Sequence, residues 1–237
     1  MEVGAKKAAL GATDTALIGQ VVKSAVAGID GPDAVSIKNL VEGIRGIVDL
    51  VITEGNGQAD RTNPVEDDKK NIGKLFGAKN ENDKGAEDKH VAAASASIGA
   101  VSGADILKVI AAANADAKRD GKVNEAEDAA ALALAKGTNT DNDDQIKDSA
   151  RKDAIIAAGI ALRAMAKDGK FVVKDTADKK TEAVAAKGVA SSAVNKTLST
   201  LIIGIRDTVD SGLKKINEVL ATIKQEDKEA ESLASGQ

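Results

Sequence analysis

A single histidine, His90, is the side chain of this sequence best suited to proton transfer near neutral pH, and there is no cysteine. A histidine-based triad would therefore have to use His90, and a thiol nucleophile is excluded. His90 follows Glu87, Asp88 and Lys89 at the start of an alanine-rich segment, where we predict an exposed position without a chemical role. A zinc site needs several nitrogen or sulfur ligands, which one histidine does not supply. The sequence predicts no enzyme, no metal site and no cofactor.

A calcium-binding loop is the metal pattern that the sequence approaches most closely, and it begins at Asp116. Asp120, Gly121 and Glu127 stand at the fifth, sixth and twelfth positions of such a loop. Lys118, however, stands at the third position, where an oxygen ligand is required. Because a cation replaces a ligand there, we prefer an ordinary turn between two helices to a calcium site.

Two small lysine clusters are candidates for binding a sulfated polysaccharide. They consist of Lys69, Lys70 and Lys74, and of Lys214, Lys215 and Lys224. A solvated helix face is the simpler interpretation of each cluster. The net charge is −4, and the sequence has two phenylalanines but no tryptophan or tyrosine. Without a basic surplus or stacking aromatic side chains, a nucleic-acid partner is not predicted.

Small and aliphatic side chains must build the core, since 43% of the 237 residues are apolar and only 1% are aromatic. Alanine is the strongest helix former, and only Pro32 and Pro64 are available to interrupt long helices. These features predict an all-α fold. We expect one helical domain over residues 1–237.

Apolar residues at helical spacing predict a series of helices joined by polar connections. The helices are expected over residues 5–29, 33–52, 66–76, 87–118, 124–136, 146–168 and 184–225. Asp33 is a candidate N-cap, and Phe171–Val173 is expected to form a short extended or irregular piece. Residues 226–237 are polar and are expected to form a frayed tail.

One long segment carries a specific family resemblance. Residues 151–171, RKDAIIAAGIALRAMAKDGKF, closely resemble the constant region of the variable large protein and VlsE family of Borrelia spirochaetes. The resemblance continues through NIGKLFG at 71–77 and AVSGADIL at 100–107. Together with the spacing to the last helix, these segments extend it over most of the chain.

The resemblance implies a lipoprotein anchored at the cell surface in the bacterial outer membrane by a lipid on an N-terminal cysteine. Such proteins change by recombination, so that host antibodies lose their target. The implied fold is an elongated helical bundle with a long terminal helix and polar distal loops. Since the lipid-bearing cysteine is not among these residues, we expect a part of a longer protein or a shorter family member.

Antigenic variation and immune evasion are thus the expected function, with host antibodies as partners. One alternative is a surface protein that binds a host ligand, either a complement protein or a glycosaminoglycan. Another is a cytoplasmic helical scaffold outside the family.

The resemblance also assigns roles to particular residues. Antibody-facing loops are expected at 54–65, 78–86 and 137–144. The candidate residues in these loops are Gly55, Asn56, Gln58, Asp60, Arg61, Lys79, Asn80, Asn82, Asp83, Asn139, Asp141 and Asn142. The constant-region helix is expected inside the bundle, with Ile155, Ile156, Ile160, Leu162 and Met165 buried.

Overall fold

The chain folds into helices, with one small sheet among the residues that the structure describes. The computed structural model describes residues 1–12, 18–23, 30–62, 66–77, 84–138, 140, 142–174 and 181–234. The chain divides into two units, Met1–Leu201 and Ile202–Gln237. The mostly helical architecture confirms the predicted all-α class.

The elements in chain order are α1 (Glu2–Gly11), β1 (Gln20–Lys23), α2 (Ala34–Val51), α3 (Glu66–Lys70), α4 (Asp88–Ala100), α5 (Gly103–Ala112), α6 (Ala129–Leu134), α7 (Asp153–Met165), β2 (Lys170–Val173) and α8 (Thr181–Ala234). Short 3-10 helices cover Asn71–Leu75, Val123–Glu125 and Asp148–Ala150.

Helix α2 shows how the apolar pattern and a capping residue set an element. The Asp33 carboxylate accepts hydrogen bonds from the amides of Val35 at 2.7 Å and Ser36 at 3.2 Å, so it satisfies helix-start donors that would otherwise lack a partner. The apolar side chains that α2 buries are Ile37, Leu40, Val41, Ile44, Ile47, Val48 and Val51. The helix predicted over 33–52 is therefore confirmed.

The first predicted helix, over 5–29, is wrong for part of its length. Helix α1 ends at Gly11, and the chain then forms strand β1 after Gly19, whose φ is +70°. Strand β1 pairs in parallel with β2, aligning Gln20 with Lys170, Val21 with Phe171, Val22 with Val172 and Lys23 with Val173. The main chain of β1 is thus satisfied by a distant strand. Residues 13–17 and 24–29 lie outside the described part of the chain.

The predicted helix over 87–118 is also wrong, since it is two helices with an angle of 100° between them. Val101 is extended, and the Ser102 hydroxyl accepts from the amide of Asp105 at 3.0 Å to start α5. Helix α5 ends before Ala113, which is also extended. Within the described residues no single helix is long and apolar enough to cross a membrane; the bent pair α4 and α5 meets the requirement jointly, by length and composition only.

Two further helices are shorter than the sequence predicts. The segment 124–136 begins in a 3-10 helix, and α6 starts only after Asp128, whose carboxylate caps the amides that follow. The segment 146–168 likewise contains a 3-10 turn before α7. Asp120 and Asp168 adopt left-handed conformations, with φ of 63° and 62°, and each precedes a glycine at a turn.

Helix α7 lies at the centre of the Met1–Leu201 unit. It packs against α2, α4, α5 and α6, and nearly all its side chains are buried. Ile156, Ile160, Leu162 and Met165 are buried, and Ile155 is half-buried. A helix surrounded by other helices needs apolar side chains on more than one face, as α7 has.

Arg163 is the largest polar group within this core. Its guanidinium donates hydrogen bonds to the carbonyls of Lys170 at 2.6 Å, Ala133 at 2.8 Å and Ala135 at 2.6 Å. It also lies 5.9 Å from the centroid of the Phe76 ring. Burial lowers its pKa to about 9. The guanidinium on α7 thus joins the end of α6 to the start of β2, so it contributes to the fold.

Helix α8 runs through most of the C-terminal part of the chain and continues to Ala234, further than the predicted end at 225. Within Met1–Leu201 its buried side chains include Ala186, Val189, Ala190, Ala193, Val194 and Leu201. Within Ile202–Gln237 its exposed apolar side chains include Ile202, Ile203, Val209, Leu213, Ile216, Val219, Leu220 and Ile223.

Candidate functional site

The connection between α2 and α3 forms an exposed loop, called here the display loop, whose described part is residues 53–62. The predicted antibody-facing residues Gly55, Asn56, Gln58, Asp60 and Arg61 are all exposed. The turn formers and polar side chains of this segment cannot contribute to an apolar core, and the chain therefore crosses the surface here.

One end of the display loop is held by Asp105 from helix α5. Its Oδ1 accepts hydrogen bonds from the amides of Asn56 at 3.2 Å and Gly57 at 3.3 Å. Its Oδ2 accepts from the Ser102 hydroxyl at 2.7 Å. Burial of the carboxyl favours its neutral form, but these hydrogen bonds outweigh it and hold the pKa of Asp105 below its usual value. Asp105 is therefore a charged acceptor for the main chain of the loop.

The other end of the loop is held by Asp153 at the start of α7. Its Oδ2 accepts from the amides of Arg61 and Thr62, each at 2.7 Å, and its Oδ1 accepts from the Thr62 hydroxyl at 2.5 Å. The amide of Ala154 returns a hydrogen bond to the carbonyl of Ala59 at 3.1 Å. Hydrogen bonds thus run from this part of the loop to α7 and from α7 back to the loop.

A buried lysine balances the charge of the second anchor. The Lys69 ammonium lies 2.8 Å from Asp153 Oδ1 and also contacts the Asp60 carboxylate, while its own side chain is buried. Burial opposes ionisation of Asp153, but hydrogen bonds from Lys69 and Thr62 hold its pKa below the usual range. The solvated helix face favoured for Lys69, Lys70 and Lys74 is therefore wrong for Lys69, whose charge faces inward and is not available to a polysaccharide either.

Two glycines give the display loop its path. Gly55 and Gly57 have φ of +75° and +69°, a region that other residues adopt only with strain. A Cβ at Gly55 would lie 3.0 Å from the main chain of Ala104, and one at Gly57 would lie 3.0 Å from the side chain of Val109. Gly55 is exposed and Gly57 is buried, and the backbone conformation and close packing of both restrict what can replace them.

The loop at 137–144 also contains a buried carboxylate that accepts hydrogen bonds, that of Asp143. Asp143 is buried and accepts from the Thr138 hydroxyl at 2.8 Å and the Asn124 amide group at 3.1 Å, with Lys122 at 3.3 Å. Asn142 beside it is exposed, in a left-handed conformation.

The other candidates in these two loops fall outside the described residues. They are Lys79, Asn80, Asn82, Asp83, Asn139 and Asp141.

His90 does not occupy the exposed position that the sequence predicts, and that prediction is wrong. It is buried on α4, where Nδ1 accepts from the amide of Glu87 at 3.0 Å and the Glu87 side chain accepts from the amide of His90. This reciprocal pair is a capping box. Burial, together with the charge of Lys74, lowers the pKa of His90 to about 4.

The residues of the calcium-like pattern are not assembled around a common point. Asp116 pairs with Lys38 at 2.6 Å, and Glu127 pairs with Lys147 at 2.7 Å. Within the described part of the chain, no three or more histidine, cysteine, aspartate or glutamate side chains are placed to hold a metal ion. Asp116 and Glu127 therefore form surface ion pairs, while the Asp120 carboxylate accepts from the amide of Gly31 at 2.8 Å.

Comparison with known proteins places this arrangement in a family. The family model described as Borrelia lipoprotein matches residues 1–220. The chain belongs to the Borrelia lipoprotein family. The resemblance that the sequence predicts over 151–171, 71–77 and 100–107 is thereby confirmed.

Family members of known sequence match nearly the whole chain. Variable large protein 4 of Borrelia hermsii is 49% identical over 97% of this chain, and variable large protein 17 of the same organism is 50% identical over 98%. The chain spans 63% and 64% of the lengths of these two relatives.

A solved structure of the family shares the fold. The crystal structure of the Lyme disease variable surface antigen VlsE of Borrelia burgdorferi matches with a TM-score of 0.72 and 35% sequence identity. The match covers 91% of this chain and 71% of that one. At this level of identity and overlap, the two chains share one fold over the matched residues.

The sequence predicts the display loop but not the two aspartates that hold it. Asp105 and Asp153 each stand in the first turn of a helix, where an acidic residue is commonly explained by the helix dipole alone. Lys69 stands in a charged run, which is usually solvated. The sequence contains one weak signal for the second anchor. Asp153 directly precedes the apolar constant-region segment, which indicates that its side chain lies near the core.

Proposed function

We propose that this chain is the antigenic part of a surface lipoprotein that serves antigenic variation, and that its polar loops are the surface presented to host antibodies. The observation that carries the proposal is the match to a variable surface antigen over 91% of the chain at 35% identity. The two variable large proteins that are about half identical to it support the same function.

The physical basis is a separation between the residues that fix the fold and those that meet the solvent. Helix α7 and its neighbours bury aliphatic side chains, and a change there destabilises the protein by roughly 2–5 kcal/mol when a large side chain is truncated. Exposed side chains of the display loop can change at a cost usually within about 0.5 kcal/mol. A protein of this kind can alter its surface without losing its fold.

Surface attachment forms part of the proposal. We infer a lipid on an N-terminal cysteine as the membrane anchor, because the matching family is described as lipoproteins. No cysteine occurs in these 237 residues, so the inference concerns the protein to which they belong.

The experiment that tests this function uses an antiserum raised against the folded chain. Spirochaetes expressing the corresponding whole protein are labelled with the antiserum, intact and after permeabilisation, next to cells expressing a relative about half identical. We expect labelling of intact cells expressing this protein and much weaker labelling of cells expressing the relative. Labelling of permeabilised cells only would contradict surface display, and equal labelling of both strains would contradict antigenic variation.

The same chain can be tested for capture of host molecules. Human serum and heparin are passed over the immobilised chain, with an unrelated acidic helical protein as control. Recovery of immunoglobulin alone agrees with antigenic display. Salt-sensitive retention of heparin, or specific retention of a complement protein, would show ligand capture as a function instead.

A further inference from the structure

We propose that Asp105 and Asp153 are positioning residues that hold the display loop by its main chain, so that Glu54, Gln58 and Arg61 form an antibody-contacting surface of fixed shape and changeable chemistry. The inference rests on the proposed function, because it names the partner and the residues of that surface. The two aspartates are called here the carboxylate anchors.

The carboxylate anchors bind groups that every residue type except proline possesses. Their donors from the main chain of the loop are the amides of Asn56, Gly57, Arg61 and Thr62, at 2.7–3.3 Å. A main-chain amide remains in place when the side chain of the same residue is replaced. The side chain of Arg61, for example, is exposed while its amide is bound, so its chemistry can change without loss of the contact.

The anchors themselves are not part of the exposed surface. Asp105 and Asp153 are buried, and each belongs to a helix of the core. The charge of Asp153 is balanced by Lys69, which also holds Asp60 of the loop. A buried carboxylate with a cation and several donors is stabilised in its ionised form, and it accepts stronger hydrogen bonds than a neutral group. The loop is therefore held by hydrogen bonds to buried groups that an antibody does not contact.

The same geometry separates the display loop into restricted and free positions. Gly55 and Gly57 are restricted by their positive φ, and Asp60 and Thr62 by side chains that bind inward. Asn56 is intermediate, since its side chain accepts from the amide of Gln58 at 2.9 Å.

The free positions are those whose side chains are exposed and do not bind inward. Glu54, Gln58 and Arg61 are exposed, and the Gln58 side chain accepts a hydrogen bond from Lys152 at the surface. The predicted antibody-facing set therefore contains two classes of residue: those that shape the loop, and those that an antibody can distinguish without a change of shape.

Hydrogen exchange of the loop amides tests the anchoring directly. In the intact chain we expect the four anchored amides to exchange at least about tenfold more slowly than free amides. Asp105→Ala removes the acceptor for Asn56 and Gly57, and we expect their exchange to accelerate about tenfold, whereas Asp105→Asn keeps one oxygen and largely preserves protection. Exchange at the free rate in the unsubstituted chain, or no difference between Asp105→Ala and Asp105→Asn, would overturn the proposal.

The second anchor is tested with a variant that leaves the buried ion pair intact. Thr62→Val removes the hydroxyl that donates to Asp153 but keeps both amides, so we expect Arg61 and Thr62 to exchange as slowly as in the unsubstituted chain. The matched control is Asp148→Ala, because Asp148 precedes α7 but its side chain is 90% exposed. Exchange of both amides at the free rate in Thr62→Val, with slow exchange in Asp148→Ala, would count against a main-chain anchor.

Antibody binding then tests the fixed shape. Monoclonal antibodies are raised against the folded chain, and those that lose binding to Arg61→Glu are selected. We expect them to bind Asp105→Ala at least about tenfold more weakly than Asp105→Asn, since one lost hydrogen bond of about 1.4 kcal/mol changes an affinity tenfold. Equal affinity for both variants, or for a linear peptide of residues 53–62, would overturn the shape requirement.

The two readouts distinguish failure of this inference from failure of the proposed function. Protected amides together with sera that contain no antibody to the surface of this chain would contradict antigenic display while supporting the anchors. Unprotected amides together with loop-directed antibodies would contradict the anchors while supporting antigenic display.

Discussion

Protonation of buried His90 is expected to make the chain sensitive to mild acid. In the folded protein the pKa of His90 is lowered from 6.5 to about 4, chiefly by burial and next by the charge of Lys74. Its Nδ1 already accepts from the amide of Glu87, and no described residue accepts a hydrogen bond from Nε2. Adding a proton would therefore break the capping box and place a charge in the core.

The sign and size of the effect follow from linkage between protonation and folding. Between pH 6.5 and 4 the unfolded chain binds a proton at His90 and the folded chain does not, so stability falls as the pH falls. The contribution is fully present above pH 6.5 and is lost near pH 4. One pKa unit corresponds to about 1.36 kcal/mol, so the whole shift corresponds to about 3 kcal/mol.

A glutamine variant isolates this contribution from the titration of carboxylates. His90→Gln keeps a side-chain acceptor for the amide of Glu87, since glutamine occupies this position of a capping box well, but it does not titrate. The free energy of unfolding is measured in urea from pH 7 to 4 for both proteins. We expect the wild-type value to fall by about 3 kcal/mol more than that of the variant. Parallel curves over this range would refute the assignment of a buried neutral histidine.

Three further predictions concern stability, each measured by urea unfolding at pH 7. Gly57→Ala should destabilise by about 1–3 kcal/mol because of its positive φ, whereas Gly188→Ala, in an open position of α8, should stabilise by roughly 0.5–1 kcal/mol; the same sign for both would contradict the loop geometry. Ile160→Ala should cost about 2–5 kcal/mol, and a change below 1 kcal/mol would be inconsistent with the central place of α7. Asp153→Ala should cost about 3–5 kcal/mol by removing the buried partner of Lys69 and the acceptor of the loop amides, against about 0.5 kcal/mol or less for Asp148→Ala; similar values would argue against the buried pair.

The sequence predicts elements well where local signals agree. For α2, the apolar stripe and Asp33 both indicate the same start and the same buried face, and the structure contains that helix. Strand β1 could not be found in this way, since its hydrogen-bond partners are about 150 residues distant in β2 and no local signal reports them. The division between α4 and α5 was missed because alanine and valine continue the helical pattern through the break, while a single serine cap starts the new helix.

The display loop could be predicted from turn formers and polar residues, but its anchors could not. Thr62 and Asp153 are separated by 91 positions in the sequence, so only the packed structure brings them together. The position of His90 was mispredicted for a related reason: the charged residues before it suggest a surface, but its helix turns it towards the core.

Immune recognition of the display loop is the most direct test of the account. Sera are raised against the folded chain, and their titres are compared on a triple variant of Glu54, Gln58 and Arg61 with reversed or introduced charges. The control is a triple variant of Ser191, Ser192 and Asn195, which are exposed on α8. We expect unchanged thermal stability for both variants and a severalfold lower titre on the loop variant only. Equal titres on the two folded variants would contradict the claim that this loop carries the antigenic difference.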